Sequence, residues 1–139
     1  HPEILRAGAR AAGDIVLVAD RAVLEETMKL KLDDSGRVTT VGKHVRMDEA
    51  SGTFLGLAKF SSTGGRETLA EVGKLIETGE TNAYFTLAVE NIIKRGGAVG
   101  AALTHNLPWV EIDFPEELEQ AKKDVYPLIA AAKGLTGNA

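Results

Sequence analysis

"LPWVEIDFPEELEQAKKDVYP", residues 107–127, is the stretch on which the reading of this chain turns. It sets Trp109, Glu111 and Asp113 on alternate positions and starts a helix at Pro115. Alternation is the period of a strand, so 109–113 reads as a short strand with these three side chains on one side. Its end admits two accounts. In one, Asp113 only caps the helix: its carboxylate accepts from the N–H groups two and three residues on, Pro115 fills the first turn and Glu116 reaches back. Glu111 is then a solvated residue and Trp109 is packing. In the other, Glu111 and Asp113 are close carboxylates at the C-terminal end of a strand, where sites in open α/β sheets collect. A hard cation such as Mg²⁺ would relieve their repulsion, and a phosphate-bearing substrate would complete its coordination.

Working outward, "DIVLVAD" (14–20) is a nearly continuous apolar run, the form of a strand buried on both faces. Before it, Pro2 suits a first helical turn, and Ile4, Leu5, Ala9 and Ala12 give a short apolar face. "TMKLKLDDSGRVTTV" (27–41) alternates Met28, Leu30 and Leu32 with lysines, breaks at Asp33-Asp34-Ser35-Gly36 and resumes with β-branched residues, which predicts a hairpin with one wet face. "GTFLGLAKFS" (52–61) is a further strand. Helices are predicted over 66–78, with Leu69, Val72 and Ile76 inward, and over 83–95, with Phe85, Ala88, Val89, Ile92 and Ile93 inward. Lys94-Arg95-Gly96 stops the second of these. "AVGAALT" (98–104) is a short strand, and the last helix, 114 to about 132, is expected to bury Phe114, Leu118, Ala121, Val125 and Leu128. Strands mixed with helices imply an α/β or α+β layered unit.

Composition narrows the classes. The 139 residues fit one domain, and 44% hydrophobic with 26% charged residues is ordinary for a globular protein. A net charge of −4 without a Lys/Arg cluster argues against nucleic-acid binding. No cysteine is present, which excludes disulfides and thiolate metal sites. No apolar run approaches the roughly 18 residues of a membrane span and no signal-peptide pattern is visible, so a cytoplasmic location without membrane contact is expected. His44 and His105 lack zinc-ligand spacing. Ser61 to Thr63 before Gly64-Gly65 reads as a capped helix start or a phosphate nest, and Asp33 to Gly36 as a turn.

"PWVEIDFPEELEQAKKDVYP" also resembles the closing motif of the nucleotidyltransferases that join an NTP to a phosphorylated small molecule: Trp, an acidic or apolar pair, Asp, a turn, then Pro-Glu-Asp-Leu opening the last helix. Upstream, "HPEILRAGARAAGDIVLVAD" is similar to the helix and strand after that family's first metal-binding Asp, "DSGRVTTVGKHV" to its hairpin, and "SGTFLGLAKFS" to its "GEFIGLxKFS" strand. The resemblance leans to cytidylyltransferases acting on phosphocholine, 2-aminoethylphosphonate and related phospho-alcohols. It implies a three-layer Rossmann-like α/β fold, of which residues 1–139 are the acceptor-side C-terminal portion: a mixed sheet, a β-hairpin and flanking helices. It further implies Mg²⁺, an NTP (CTP first) and a small phosphorylated acceptor whose phosphate or phosphonate oxygen attacks the α-phosphorus while pyrophosphate leaves.

Carried onto this chain, Asp113 matches a metal-binding carboxylate with Glu111 as companion, Asp113 preferred. Lys43 falls in the hairpin's Gly-Lys, where it serves the reaction as a point charge on the acceptor's phosphate or is merely solvated. Gly56 lies where the backbone approaches the acceptor or simply packs. Tyr84 and Trp109 border the substrate, and Phe85 is expected in the core. Two departures stand out. The family's glycine-rich loop and first metal-binding Asp have no counterpart, and His1 opens inside an element already under way, which suggests a fragment that is inactive alone. An exposed sheet edge and apolar surface would then drive self-association or pairing with a complementary chain. Where phosphocholine-type relatives carry a Glu-Asp pair, this chain has Thr86 and Leu87, with Glu90 one turn further; with 5% aromatic residues a choline cage is not expected. The rival readings are a non-catalytic oligomerisation or ligand-binding module, and a sugar-1-phosphate uridylyl- or guanylyltransferase.

Overall fold

In a computed structural model, residues 1–132 are described. The elements are α1 (Pro2–Arg10), β1 (Ile15–Asp20), β2 (Lys29–Leu32), β3 (Val38–Gly42), β4 (Gly52–Phe60), α2 (Ser62–Glu77), α3 (Phe85–Lys94), β5 (Val99–Leu103), α4 (Pro115–Gln120) and α5 (Tyr126–Ala132), the last two joined by a π-helical turn, Ala121–Val125. The five strands form one mixed sheet in the order β3-β2-β4-β1-β5. Only β1 and β5 run parallel; the other pairs are antiparallel.

The apolar run of β1 has its expected consequence. All six residues are buried, and they alternate between two cores. Ile15, Leu17 and Ala19 meet Val89 and Ile92 of α3 together with Leu30, Val41 and Phe54. Val16 and Val18 meet Ile4 of α1 and Ala102. The result is three layers, α1 on one face of the sheet and α3 on the other. The predicted hairpin forms, and its turn is built by Asp33. The Asp33 carboxylate accepts from the backbone N–H groups of Ser35 and Arg37, at 2.9 Å each, and from the Ser35 hydroxyl. These bonds, the Ser35 hydroxyl first, lower the Asp33 carboxyl to about 2.

Four expectations from periodicity are corrected. The stretch 109–113 belongs to no strand, and Asp113 lies in a bend. Pro108 has no N–H to give a ladder, and the Asp113 and Phe114 N–H groups donate instead to the Glu117 carboxylate, at 2.6 and 2.9 Å. In α2 the inward face is Gly64, Thr68 and Glu71, while Leu69 and Ile76 are 71% and 58% exposed. Close approach and a polar clamp set that rotation. A Cβ at Gly64 would run into the Asp14 carbonyl, and the buried Glu71 carboxylate takes Arg95 at 2.7 Å, Lys74 at 3.1 Å and the Asn91 amide at 3.2 Å.

The lysine side of the hairpin is not uniformly wet either. Lys29 is buried, its ammonium donating to the Glu25 and Thr27 carbonyls at 2.8 and 3.2 Å. Finally, the terminal helical segment leaves Phe114, Leu118 and Leu128 exposed and buries Ala130. Its π turn sits beside Pro127: with no N–H at that position, the Tyr126 N–H bonds the Ala121 carbonyl five residues back.

Candidate functional site

A cleft of about 370 Å³ opens between β4, the start of α3 and the segments that follow β1, β3 and β5. It is lined by Glu26, Thr27 and Met28 from the segment that leaves β1, by Lys43 just past β3, and by Phe54 and Gly56 of β4. Tyr84, Phe85 and Thr86 at the start of α3, and Glu111 and Asp113 from the segment that leaves β5, complete it. Five residues singled out in the sequence, Lys43, Gly56, Tyr84, Glu111 and Asp113, therefore share one wall-to-wall space. Trp109 does not. It lines an adjoining groove of about 420 Å³ with Leu5, Leu55, Leu57 and Ile129, and Glu111 borders both.

Each position has a local cause. Lys43 follows Gly42 in a turn that is fixed from behind, because His44 Nε2 lies 3.1 Å from the buried Glu90 carboxylate on α3. Lys94 approaches the same carboxylate at 3.6 Å. The Lys43 ammonium stands 5.7 Å from the centroid of the Tyr84 ring, within cation–π range. Gly56 has φ +73° and no atom within 4 Å of where a Cβ would sit. It lies in an irregular step of the β1–β4 ladder, between the pairs Leu17↔Ala58 and Ala19↔Phe54, where Leu55, Gly56 and Leu57 face Val18 alone. A left-handed bulge of this kind selects glycine.

Glu26 sits between Glu25 and Thr27, whose carbonyls accept from the Lys29 ammonium, and the loop is held further by Thr53, whose hydroxyl accepts from the Leu24 N–H at 3.2 Å and bonds the Thr27 hydroxyl at 3.1 Å. Glu111 and Asp113 arrive on a segment anchored at its root. The Thr104 N–H reaches the Ala19 carbonyl at 2.9 Å, and the Thr104 hydroxyl bonds the Asp20 carboxylate. Burial opposes ionisation of Asp20, but the Thr104 hydroxyl, the Ala22 N–H and the Trp109 side chain outweigh it and hold its carboxyl below the usual carboxylate range. Trp109 packs against the cluster of Ile4, Val16, Val18 and Ala102 on the α1 side of the sheet.

Asp113 is not the cap of the last helix. The start of α4 is closed by Glu117 reaching back, a task the sequence reading gave to Asp113 and Glu116; the Asp113 carboxylate is left to the cleft. Phe85, expected in the core, is 39% exposed and lines the cleft, with its ring edge-on to Phe54 and Phe60. Ser61 is a helix cap, its hydroxyl accepting from the Gly64 N–H at 3.1 Å. Glu26 and Thr27 are cleft residues that pattern did not single out, while Thr86, noted above in place of an acidic residue, lines the cleft with them. The one available signal for Glu26 and Thr27 was their neighbour Lys29, a lysine in an apolar strand that would need acceptors nearby.

Comparison with known proteins adds a fold. No family model matches the chain, and no curated protein sequence matches it. Among solved structures, the inositol-1-phosphate CTP transferase from T. maritima superposes with a TM-score of 0.65 at 18% identity, over 99% of this chain and 53% of that one. The chain thus spans about half the length of that transferase, and what it shares with it is a nucleotidyltransferase-like fold.

Proposed function

We propose that the chain is the acceptor-side portion of a nucleotidyltransferase that joins a nucleotide, CTP first, to a small phosphorylated polyol or alcohol. The observation that carries this reading is the convergence of Lys43, Tyr84, Gly56, Glu111 and Asp113 on one cleft, within a fold like that of an inositol-1-phosphate CTP transferase. In such a reaction an acceptor phosphate oxygen bonds to the α-phosphorus as the bond to pyrophosphate breaks. The acceptor oxygen is already anionic, so the protein's task is placement and charge balance.

Lys43 would pair with the acceptor's phosphate, its ammonium steadied by the Tyr84 face. Gly56 would leave room for the acceptor's body, because no side chain projects from that bulge. Among the described residues no group of three or more His, Cys, Asp or Glu side chains is placed to hold a metal. Glu111 and Asp113, two hard oxygen donors on one cleft wall, fit Mg²⁺, which commonly takes one or two protein carboxylates and fills its remaining positions with water and phosphate oxygens. When bound, that ion would offset negative charge on the phosphoryl oxygens.

The charge balance favours the acceptor over the nucleotide. One lysine faces Glu26, Glu111 and Asp113 in the cleft, too little positive charge for a triphosphate. The cations that hold an NTP would come from polypeptide beyond these residues, so the chain alone should release no pyrophosphate from CTP. Calorimetric and NMR titration with inositol 1-phosphate, with and without Mg²⁺, tests the reading. Expected is Mg²⁺-dependent binding with shifts at Lys43, Tyr84 and Asp113. Absence of binding under both conditions, or turnover of CTP by the chain alone, would overturn it.

A further inference from the structure

Beside Lys43, in the turn after β3, stands a second titratable side chain, His44, that does not line the cleft. Lys43 and His44 are the two exposed residues of a turn whose flanks, Gly42 and Val45, are buried. The Val45 N–H closes that turn on the Gly42 carbonyl at 3.4 Å. The His44 ring lies back over Gly42, where a Cβ would collide with it, and its Nε2 stands 3.1 Å from the Glu90 carboxylate of α3. Only 7% of the Glu90 side chain is exposed, so its charge needs a partner.

Two cationic side chains reach Glu90 among the described residues, and they do different things. Lys94, at 3.6 Å, stands on the same helix four residues on, so its contact secures nothing beyond α3. His44 joins the end of β3 to α3. Tyr84, whose ring the Lys43 ammonium faces at 5.7 Å, is the residue that starts that helix. The His44–Glu90 contact therefore sets the spacing between the turn that carries Lys43 and the helix start that carries its ring. Other charges near the turn are engaged elsewhere. Lys29, in register with Gly42, turns its ammonium to the Glu25 and Thr27 carbonyls, and Arg46 pairs with Asp48. Lys43 and Tyr84 beside the cleft, with Glu90 and Lys94 on α3, are the titratable groups left around His44.

Imidazole is the side chain that gains or loses its charge between about pH 5 and 8. Neutral, it offers a carboxylate at most one N–H; protonated, it makes an ion pair, which is the stronger contact when the carboxylate is shielded from water. We infer that His44 is a positioning residue for Lys43: protonated, it fastens the turn after β3 to Glu90 and holds the Lys43 ammonium at Tyr84, so that the cleft grips a phosphate more tightly as pH falls. The hold is fully present while His44 is charged and fades as pH rises through its titration. The grip on phosphate rests on Lys43 pairing with the acceptor, as proposed above; the placement of the ammonium does not.

NMR of the free chain tests the placement. The ε-methylene protons of Lys43 feel the ring current of Tyr84, and their displacement should be largest at about pH 5.5 and shrink toward about pH 8. In His44→Asn, an exposed substitution, it should be small and flat. Glu90→Gln, where circular dichroism shows it folded, should flatten the profile in the same way. Calorimetric titration with inositol 1-phosphate tests the grip. The wild-type chain should bind roughly threefold or more tightly than His44→Asn at about pH 5.5, the two converging by about pH 8. Titration of the ligand's own phosphate affects both proteins alike and cancels in that ratio. A Lys43 displacement that ignores pH in the wild type, or follows it unchanged in His44→Asn, would overturn the inference, as would equal measurable affinities of the two proteins at every pH. A displacement that follows pH through His44, with no protein binding inositol 1-phosphate, would uphold the positioning of Lys43 and overturn the acceptor site instead.

Discussion

The Lys43 ammonium and the Tyr84 ring, brought together from the end of a hairpin and the start of a helix, lie 5.7 Å apart across the mouth of the cleft. The pair leaves the ammonium free to meet an anion while the ring holds its place. A cation–π contact at such an exposed site is worth about 0.5–1 kcal/mol, whereas a hydrogen bond to a charged group is worth about 1.5–3 kcal/mol. Lys43→Ala should therefore weaken binding of inositol 1-phosphate by roughly ten- to a hundredfold. Tyr84→Phe should leave it nearly unchanged, and Tyr84→Ala should cost a few-fold. Calorimetry on the three variants checks the ranking.

Asp113 and Glu117 separate a ligand-directed carboxylate from a structural one. Glu117 closes the helix start, so Glu117→Ala should fray α4, seen as faster amide exchange over 113–120, at a local cost of about 1 kcal/mol. Asp113→Asn should leave that exchange and the thermal midpoint unchanged within about 0.5 kcal/mol, yet abolish the Mg²⁺ dependence of acceptor binding. Frayed exchange in Asp113→Asn with unaltered Mg²⁺ dependence would return Asp113 to a capping role.

Gly56 and Gly52 sit on the same strand and tolerate a methyl group differently. At Gly56 there is open space, and only the left-handed φ of +73° resists a side chain, so Gly56→Ala should cost about 1–2 kcal/mol in urea unfolding. At Gly52 a Cβ would collide with the Asp20 carbonyl. Backbone cannot yield as a flexible side chain can, so Gly52→Ala should cost more than Gly56→Ala.

Acid stability should follow the carboxylates whose ionised forms the fold prefers. Asp20 is held low because the Thr104 hydroxyl, the Ala22 N–H and Trp109 overcome the opposing effect of burial. Glu71 is held low because Lys74, Arg95 and Asn91 overcome the same opposition. Both pKa values are depressed by folding, so their contribution is fully present above the unfolded values of about 3.9 and 4.3 and is lost as pH falls through the folded ones. Thr104→Val should move the acid-unfolding midpoint to higher pH, and so should Arg95→Ala. Circular dichroism followed from pH 7 downward reads both; an unmoved midpoint in Thr104→Val would remove Asp20 from this account.

How much of the site was legible follows from what each signal encodes. Lys43, Gly56, Glu111 and Asp113 were singled out by motif resemblance, and all four line the cleft. The argument from strand alternation that first linked Glu111 to Asp113 does not hold, since 109–113 is not a strand. What sets them there is the anchoring of their segment at Thr104 to the end of β1 and the packing of Trp109 on the apolar cluster beside it. Glu26 and Thr27 left no trace in pattern because a loop's course depends on distant acceptors and donors, here Lys29 and Thr53.

Local chemistry was sufficient for β1, the hairpin, β4, α3 and β5. A continuous apolar run, the Asp33 to Gly36 turn and the cations before Gly96 act within a few residues of themselves, so the chain carries them wherever it goes. The rotation of α2 and the exposure of the terminal helical segment were decided by the assembled fold. Periodicity records which face of a helix is apolar, but whether that face is covered depends on what stands opposite. In α2 the answer came from the close approach of Gly64 to Asp14 and from a buried carboxylate clamped by Arg95, Lys74 and Asn91. Apart from the Lys74 pair, those interactions join residues far apart in the chain, and they outweigh the pull of Leu69 and Ile76 toward the interior.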